Sequence, residues 1–159
     1  MEKSKPIKRS KAFVQFSRDH HFGLLLVWKI RQDLAKEING VEISRYVYDF
    51  FENDLKQHFK DEEKFIFSRL SSADPMRQRA ESEHREIYNL VETLAQNKTD
   101  KQLLLKFADL LENHIRFEER TLFNHLQAQL SPAELDQLLL DTTNTNATVK
   151  SNKLFRHKS

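Results

Sequence analysis

Apolar residues recur along this chain at alternating steps of three and four, the spacing that lines one face of an α-helix. Phe13, Phe16, His20, Leu24, Val27 and Leu34 make the first such stripe, which predicts a helix from about Lys11 to Ile38. Asn39-Gly40 is expected to end it, because glycine readily takes the left-handed geometry of a helix C-terminus. A second helix is expected from near Ser44 to about Leu70, followed by a Ser71-Ser72-Ala73 turn. Asp74-Pro75 then reads as an N-cap with proline in the first helical turn. The third helix runs to about Gln96 with Met76, Ala80, His84, Ile87, Val91 and Leu94 inward, and Asn97-Lys98 breaks it. Thr99 or Asp100 caps a fourth helix through about Leu130. Ser131-Pro132-Ala133-Glu134 is a capping box that opens a short fifth helix from Pro132 to about Asp141. Four long helices with short connections predict an all-α, up-down-up-down four-helix bundle with a short C-terminal fifth helix. The bundle occupies residues 11–141, between a flexible basic N-terminus, 1–10, and a polar, patternless C-terminal tail, 142–159, expected to be flexible.

The second and fourth helices repeat one another. Aligning Phe51–Leu70 with Phe107–Leu126 pairs Phe51/Phe107, Leu55/Leu111, His58/His114, Glu62/Glu118, Glu63/Glu119, Phe67/Phe123 and Leu70/Leu126, with Lys60/Arg116 and Lys64/Arg120 conservative. Each repeat carries His-x-x-x-Glu. Four residues on a helix amount to one turn plus about 40° and a rise of about 6 Å, so the imidazole and the carboxylate leave the same face. That face is the apolar stripe, as Phe51, Leu55, His58, Glu62 and Phe65 keep the spacing. The first and third helices repeat more faintly, Asp19-His20 against Glu83-His84. The chain therefore reads as two helical hairpins, each with one single-His helix and one His-x-x-x-Glu helix.

Composition narrows the chemistry. The 159 residues fit one domain and contain no cysteine, which removes disulfides, thiolate metal sites and cysteine nucleophiles. The 26 basic and 24 acidic residues leave a formal charge of +2, so no nucleic-acid partner is expected. Only 2 Gly and 3 Pro favour long uninterrupted helices, and 12 Phe supply bulky core material. No apolar run reaches the roughly 18 residues a membrane helix needs, and the N-terminus lacks a clean apolar signal region. No membrane partner and a cytoplasmic location are the expectation. The glycosylation-like triplets at Asn97 and Asn146 carry little weight without such a signal.

The inward polar residues are His20, His58, Glu62, His84, His114 and Glu118. Four imidazoles and two carboxylates in a bundle core cost free energy unless they find partners. Metal binding relieves that cost. Ligation by His and carboxylate without sulfur suits iron, manganese or zinc, and two Glu on facing helices can bridge two ions. His20 is preferred over the adjacent His21 by its register with Leu24 and Val27, although His21 could supply an extra ligand. His125 falls about three turns beyond His114 and is expected at the bundle end. Glu63 and Glu119 are rotated off the ligand face; salt bridges are their expected use, with a hydrogen bond to a ligand His the alternative. Asp19 and Glu83 invite the same alternative. Trp28 is expected in the core.

At these residues the chain resembles the hemerythrin-like (HHE cation-binding) family. The resemblance spans roughly Phe13 to Leu130, where the order of lone His, His-x-x-x-Glu, lone His and second His-x-x-x-Glu is complete. It implies a four-helix bundle around two iron ions (Fe2+/Fe3+) with an oxo or hydroxo bridge. His20, His58, His84 and His114 would be terminal ligands, with Glu62 and Glu118 bridging. It also implies a protein that binds, senses or responds to O2, NO, peroxide or other oxidants, or that handles iron, with protein partners unspecified. The alternative is a di-iron oxidase or peroxidase turning over O2, peroxide or NO. One departure bears on this: oxygen-carrying members have a further histidine one turn after the third-helix ligand, where this chain has Tyr88. Fewer imidazoles leave more open positions, which favours reactivity or sensing over reversible carriage.

Overall fold

A computed structural model describes residues 8–149, with side chains through 144. The described residues form helices and no strands. A single 3-10 turn at Lys11–Phe13, capped by the Ser10 side chain, leads into α1 at Val14–Ala35. Helix α2 spans 40–69, α3 is Pro75–Gln96, α4 spans 101–129, and α5 is Pro132–Val149. Side chains of Asn39, Asp74 and Asp100 each accept a hydrogen bond from a backbone N–H in the first turn of the helix they precede, satisfying donors that have no partner inside the helix.

Two local readings change. The first helix stops at Ala35, and Glu37, not glycine, takes the left-handed conformation with φ 60°. Asn39-Gly40 opens the next helix instead, because the Asn39 side-chain Oδ1 accepts from Val41 N–H at 2.8 Å. Gly40 is needed for a different reason: a Cβ there would lie 2.9 Å from the backbone Cα of Thr99, in the turn between α3 and α4. The Ser44 hydroxyl ties the same corner by donating to the Lys98 carbonyl at 2.6 Å.

Neighbouring helices are linked in sequence order. Tyr46 of α2 donates to Asp33 of α1 at 2.8 Å, and His125 of α4 reaches Asp74 beside α3 at 3.2 Å. The circle closes where Arg31 of α1 bonds Asp109 at 2.7 Å and Glu112 at 2.8 Å on α4. Close packing of α1 on α4 is helped by Gly23, whose missing side chain leaves room for the tip of Ile115.

The core divides into two apolar clusters. One holds Val27, Ile30, Ile43, Val47, Phe59, Ile87, Phe107 and Leu111, and the other Phe13, Phe16, Ile66, Phe67, Leu122, Phe123 and Leu138. Burying a side chain of this size contributes on the order of 1.5–3 kcal/mol. Along α1 and α3 the change from one cluster to the other falls at the histidine, and along α2 and α4 it falls within the His-x-x-x-Glu segment, so the polar residues occupy a layer between two greasy plugs. Trp28, expected in the core, is 61% exposed.

Both flanks hold more structure than their composition suggests. Lys8–Ser10 are fastened to α4: Gln127 accepts from Ser10 N–H at 2.9 Å and donates to the Lys8 carbonyl at 2.8 Å. Helix α5 continues to Val149, past the end expected at Asp141, and packs Leu138 against the 3-10 turn and the Phe67 end of the core. The expected flexibility of residues 1–7 and 150–159 lies outside the described residues.

Candidate metal centre

Six residues separated by up to 98 positions in the chain meet in the polar layer. His20 comes from α1, His58 and Glu62 from α2, His84 from α3, and His114 and Glu118 from α4; none is more than 5% exposed. Their donor atoms form two groups: His20, His58, Glu62 and Glu118 in one, His84, His114, Glu62 and Glu118 in the other. Within each group the atoms lie within 4.8 Å of one another, the separation a single coordinated cation requires. Both carboxylates belong to both groups.

The distances show how the carboxylates are shared. Glu62 approaches Nε2 of His20 at 3.2 Å, of His58 at 2.9 Å and of His84 at 3.0 Å. Glu118 approaches Nε2 of His20 at 2.8 Å and of His114 at 3.1 Å. Several of these are close approaches of charge and not aligned hydrogen bonds. Nε2 of His58, Nε2 of His114 and both oxygens of Glu118 are buried with no hydrogen-bond partner. An unsatisfied buried polar atom costs roughly 1–3 kcal/mol. A cation in each group would use all four atoms, so the donor set fits the group that its chemistry implies.

All four histidines face the same way. Each presents Nε2 inward and Nδ1 outward, and each Nδ1 meets a carboxylate: Asp19 for His58 at 2.9 Å, Glu119 for His20 at 2.6 Å, Glu63 for His84 at 2.7 Å and Glu83 for His114 at 2.7 Å. A carboxylate only accepts, so Nδ1–H donates and the Nε2 lone pair is left for a cation. These four carboxylates serve as ring partners, the use that sequence offered only as an alternative to surface salt bridges. Their partners sit on neighbouring helices, which helical periodicity within one segment does not reveal.

Local backbone geometry explains how adjacent glutamates serve both roles. Turns of π-helix begin at both inner glutamates, Glu62–Ile66 and Glu118–Leu122, and another lies at Phe51–Leu55. A π turn is wider than an α turn and gathers at functional sites. The wider turn lets Glu62 point to the centre while Glu63 reaches the back of His84, and likewise for Glu118 and Glu119. Nothing in the residue spacing announces these turns.

Electrostatics hold the unloaded site together. Burial alone would lower the His20 pKa, but the nearby carboxylates of Glu118, Glu119 and Glu62 outweigh it and keep it well above its ordinary value. Burial opposes the charge on His58 too, yet Glu62 and Asp19 raise it to about 10. His114 is raised against burial by Glu118 and Glu62. Glu62 is held well below the usual carboxylate range, the charge of His58 overcoming desolvation, and Glu119 is pulled down to about 2, mainly by His20. Protons thus stand where cations would compete with them.

Aromatic rings wall the layer. Phe59 stacks on His84 at 3.8 Å between centroids, and Phe123 stacks on His20 at 5.6 Å. Neither His21 nor Tyr88 belongs to the two donor groups. His21 is exposed, and Tyr88 packs edge-on against Phe51 and Phe59 while lining a surface cavity between α2 and α3. His125 stands apart with Asp74 and Gln129.

A helical bundle with two clustered His/Glu groups in its interior defines a cation-binding class of protein. The chain belongs to the hemerythrin HHE cation-binding domain family, whose model matches residues 13–126 and so contains all six donors. No curated protein and no solved structure matches the chain.

Proposed function

We propose that this protein binds two iron ions, one in each donor group, with Glu62 and Glu118 shared between them. The observation that carries the reading is the set of buried, unsatisfied donors at His58, His114 and Glu118. The order in which helix ends pair supports an up-down-up-down course around the centre. Iron is the cation favoured by the family and by a donor set of imidazole and carboxylate without thiolate; zinc and manganese compete for the same donors. Bound iron would supply redox chemistry and open positions for a small ligand.

The surroundings favour a diatomic or peroxide ligand over an organic substrate. The donors are almost fully buried behind Phe59, Phe67 and Phe123, and the two described cavities, both between α2 and α3, are lined by none of the six. The residues' own work is to hold Nε2 free, to keep the ring protons on Nδ1 and to exclude water. On this reading the protein binds or senses O2, NO or related oxidants, or handles iron, in the cytoplasm. Elemental analysis after anaerobic loading with Fe(II) is expected to give two ions per chain, and none after Glu118→Ala. A wild-type protein that retains no iron would overturn the proposal.

A further inference from the structure

We propose that Arg9, in the strap that precedes the first helix, is a positioning residue for the cation held by His20 and His58. This rests on the two-cation reading above. Arg9 lies outside the family-matched segment, which begins at residue 13, so the family relationship does not account for it.

The contacts form one chain from the strap to the interior. Arg9 Nη1 donates to Glu119 Oε1 at 2.9 Å, and Nη2 donates to the Glu119 carbonyl at 2.7 Å and to Asn124 at 3.2 Å. The other Glu119 oxygen accepts from the Ser17 hydroxyl at 2.8 Å and from His20 Nδ1 at 2.6 Å. The guanidinium also lies over the Phe123 ring at 5.5 Å, the ring that stacks on His20. Arg9 therefore fixes both groups that orient this imidazole: the carboxylate behind it and the aromatic ring beside it. The two-way bonds between Gln127 and Lys8–Ser10 hold the strap in register on α4.

The related position in the second hairpin has no such strap. Among the described residues the hydrogen-bond partner found for Glu63 is His84, and Glu63 is 44% exposed against 29% for Glu119. Position 81, where the repeat offset from His20 to His84 would place the counterpart of Ser17, is a glutamate engaged by Arg77. The strap thus acts on one cation position only.

The test is release of Fe(II) from the anaerobically loaded full chain into excess chelator. In Arg9→Ala one of the two ions is expected to leave about 10–100-fold faster, the usual scale for loss of a partner behind a ligand histidine, while the other keeps the wild-type rate. Arg9→Lys retains charge without the planar fork and should recover part of the loss. Glu119→Gln, which keeps the side chain's shape, should reproduce the fast phase with Arg9 in place, and adding Arg9→Ala to it should bring little further change. Release of both ions at wild-type rates from Arg9→Ala overturns the inference, as does equal acceleration of both, or effects of the two substitutions that multiply. A wild-type chain that takes up no iron defeats the centre itself; a firmly loaded wild type with an indifferent Arg9→Ala defeats the strap alone.

Discussion

The two hairpins match where they touch the interior and diverge one layer out. In the first, His58 is backed by Asp19, an aspartate held by Gln15; in the second, His114 is backed by Glu83, a longer side chain held by Arg79. His20 rests on a carboxylate gripped by Arg9 and Ser17, whereas His84 rests on the more exposed Glu63. The inner donors repeat residue for residue, as two equivalent cation positions sharing both carboxylates would require. The outer partners need only place an acceptor at Nδ1, and several residues at several helix positions can do that.

The strongest way to break the comparison is to remove an inner donor. Because both carboxylates are shared, Glu62→Ala should abolish loading of both ions, while His58→Ala or His114→Ala should leave one ion per chain by elemental analysis. Equal losses from the His and Glu variants would contradict sharing.

Next in size is the response to pH. His58 is raised to about 10 from an unfolded value near 6.5, and His20 and His114 shift in the same direction. Protonation therefore stabilises the unloaded fold fully below about pH 6.5 and is lost as pH rises toward about 10. Melting of chelator-stripped protein should fall across that window. Iron affinity should rise over the same range, because a cation needs the deprotonated Nε2. A melting temperature of the stripped form that climbs with pH would contradict the assignment of the rings as charged.

A smaller effect compares the two glycines that bring the hairpins together. Gly40→Ala meets the backbone of Thr99 and should cost about 1–3 kcal/mol in denaturant unfolding. Gly23→Ala meets only the movable tip of Ile115, and the gain in helix propensity, up to about 1 kcal/mol, offsets the crowding. The smallest effect belongs to Arg31, whose exposed pairing with Asp109 and Glu112 joins the hairpins: Arg31→Ala should change stability by at most about 1 kcal/mol and leave metal content untouched.

The helices and the inner donors were legible because each is written in spacing along one segment. The stripe of α3 fixed His84 as inward, and the repeat of α2 in α4 singled out two His/Glu pairs. What lay beyond the sequence depends on neighbours. Glu63 and Glu119 point off the ligand face of an ideal helix, and only the wide turns that start at Glu62 and Glu118 bring them round. Trp28 falls among apolar residues yet faces outward. The Thr- and Asn-rich stretch after Asp141 has weak helix propensity; there Thr142 is buried and returns its hydroxyl to the Leu138 and Leu139 carbonyls at 3.0 and 3.1 Å.

The charged imidazoles of the polar layer have an electrical corollary. His20, His58 and His114 are held charged in the unloaded protein, so two divalent ions that displace their Nε2 protons would bring four positive charges as three leave. The exchange would change the molecule's net charge by about one unit and its electrophoretic mobility little. A macromolecule that distinguishes the filled from the empty form would have to read mainly shape or rigidity, because the long-range field offers it little to read.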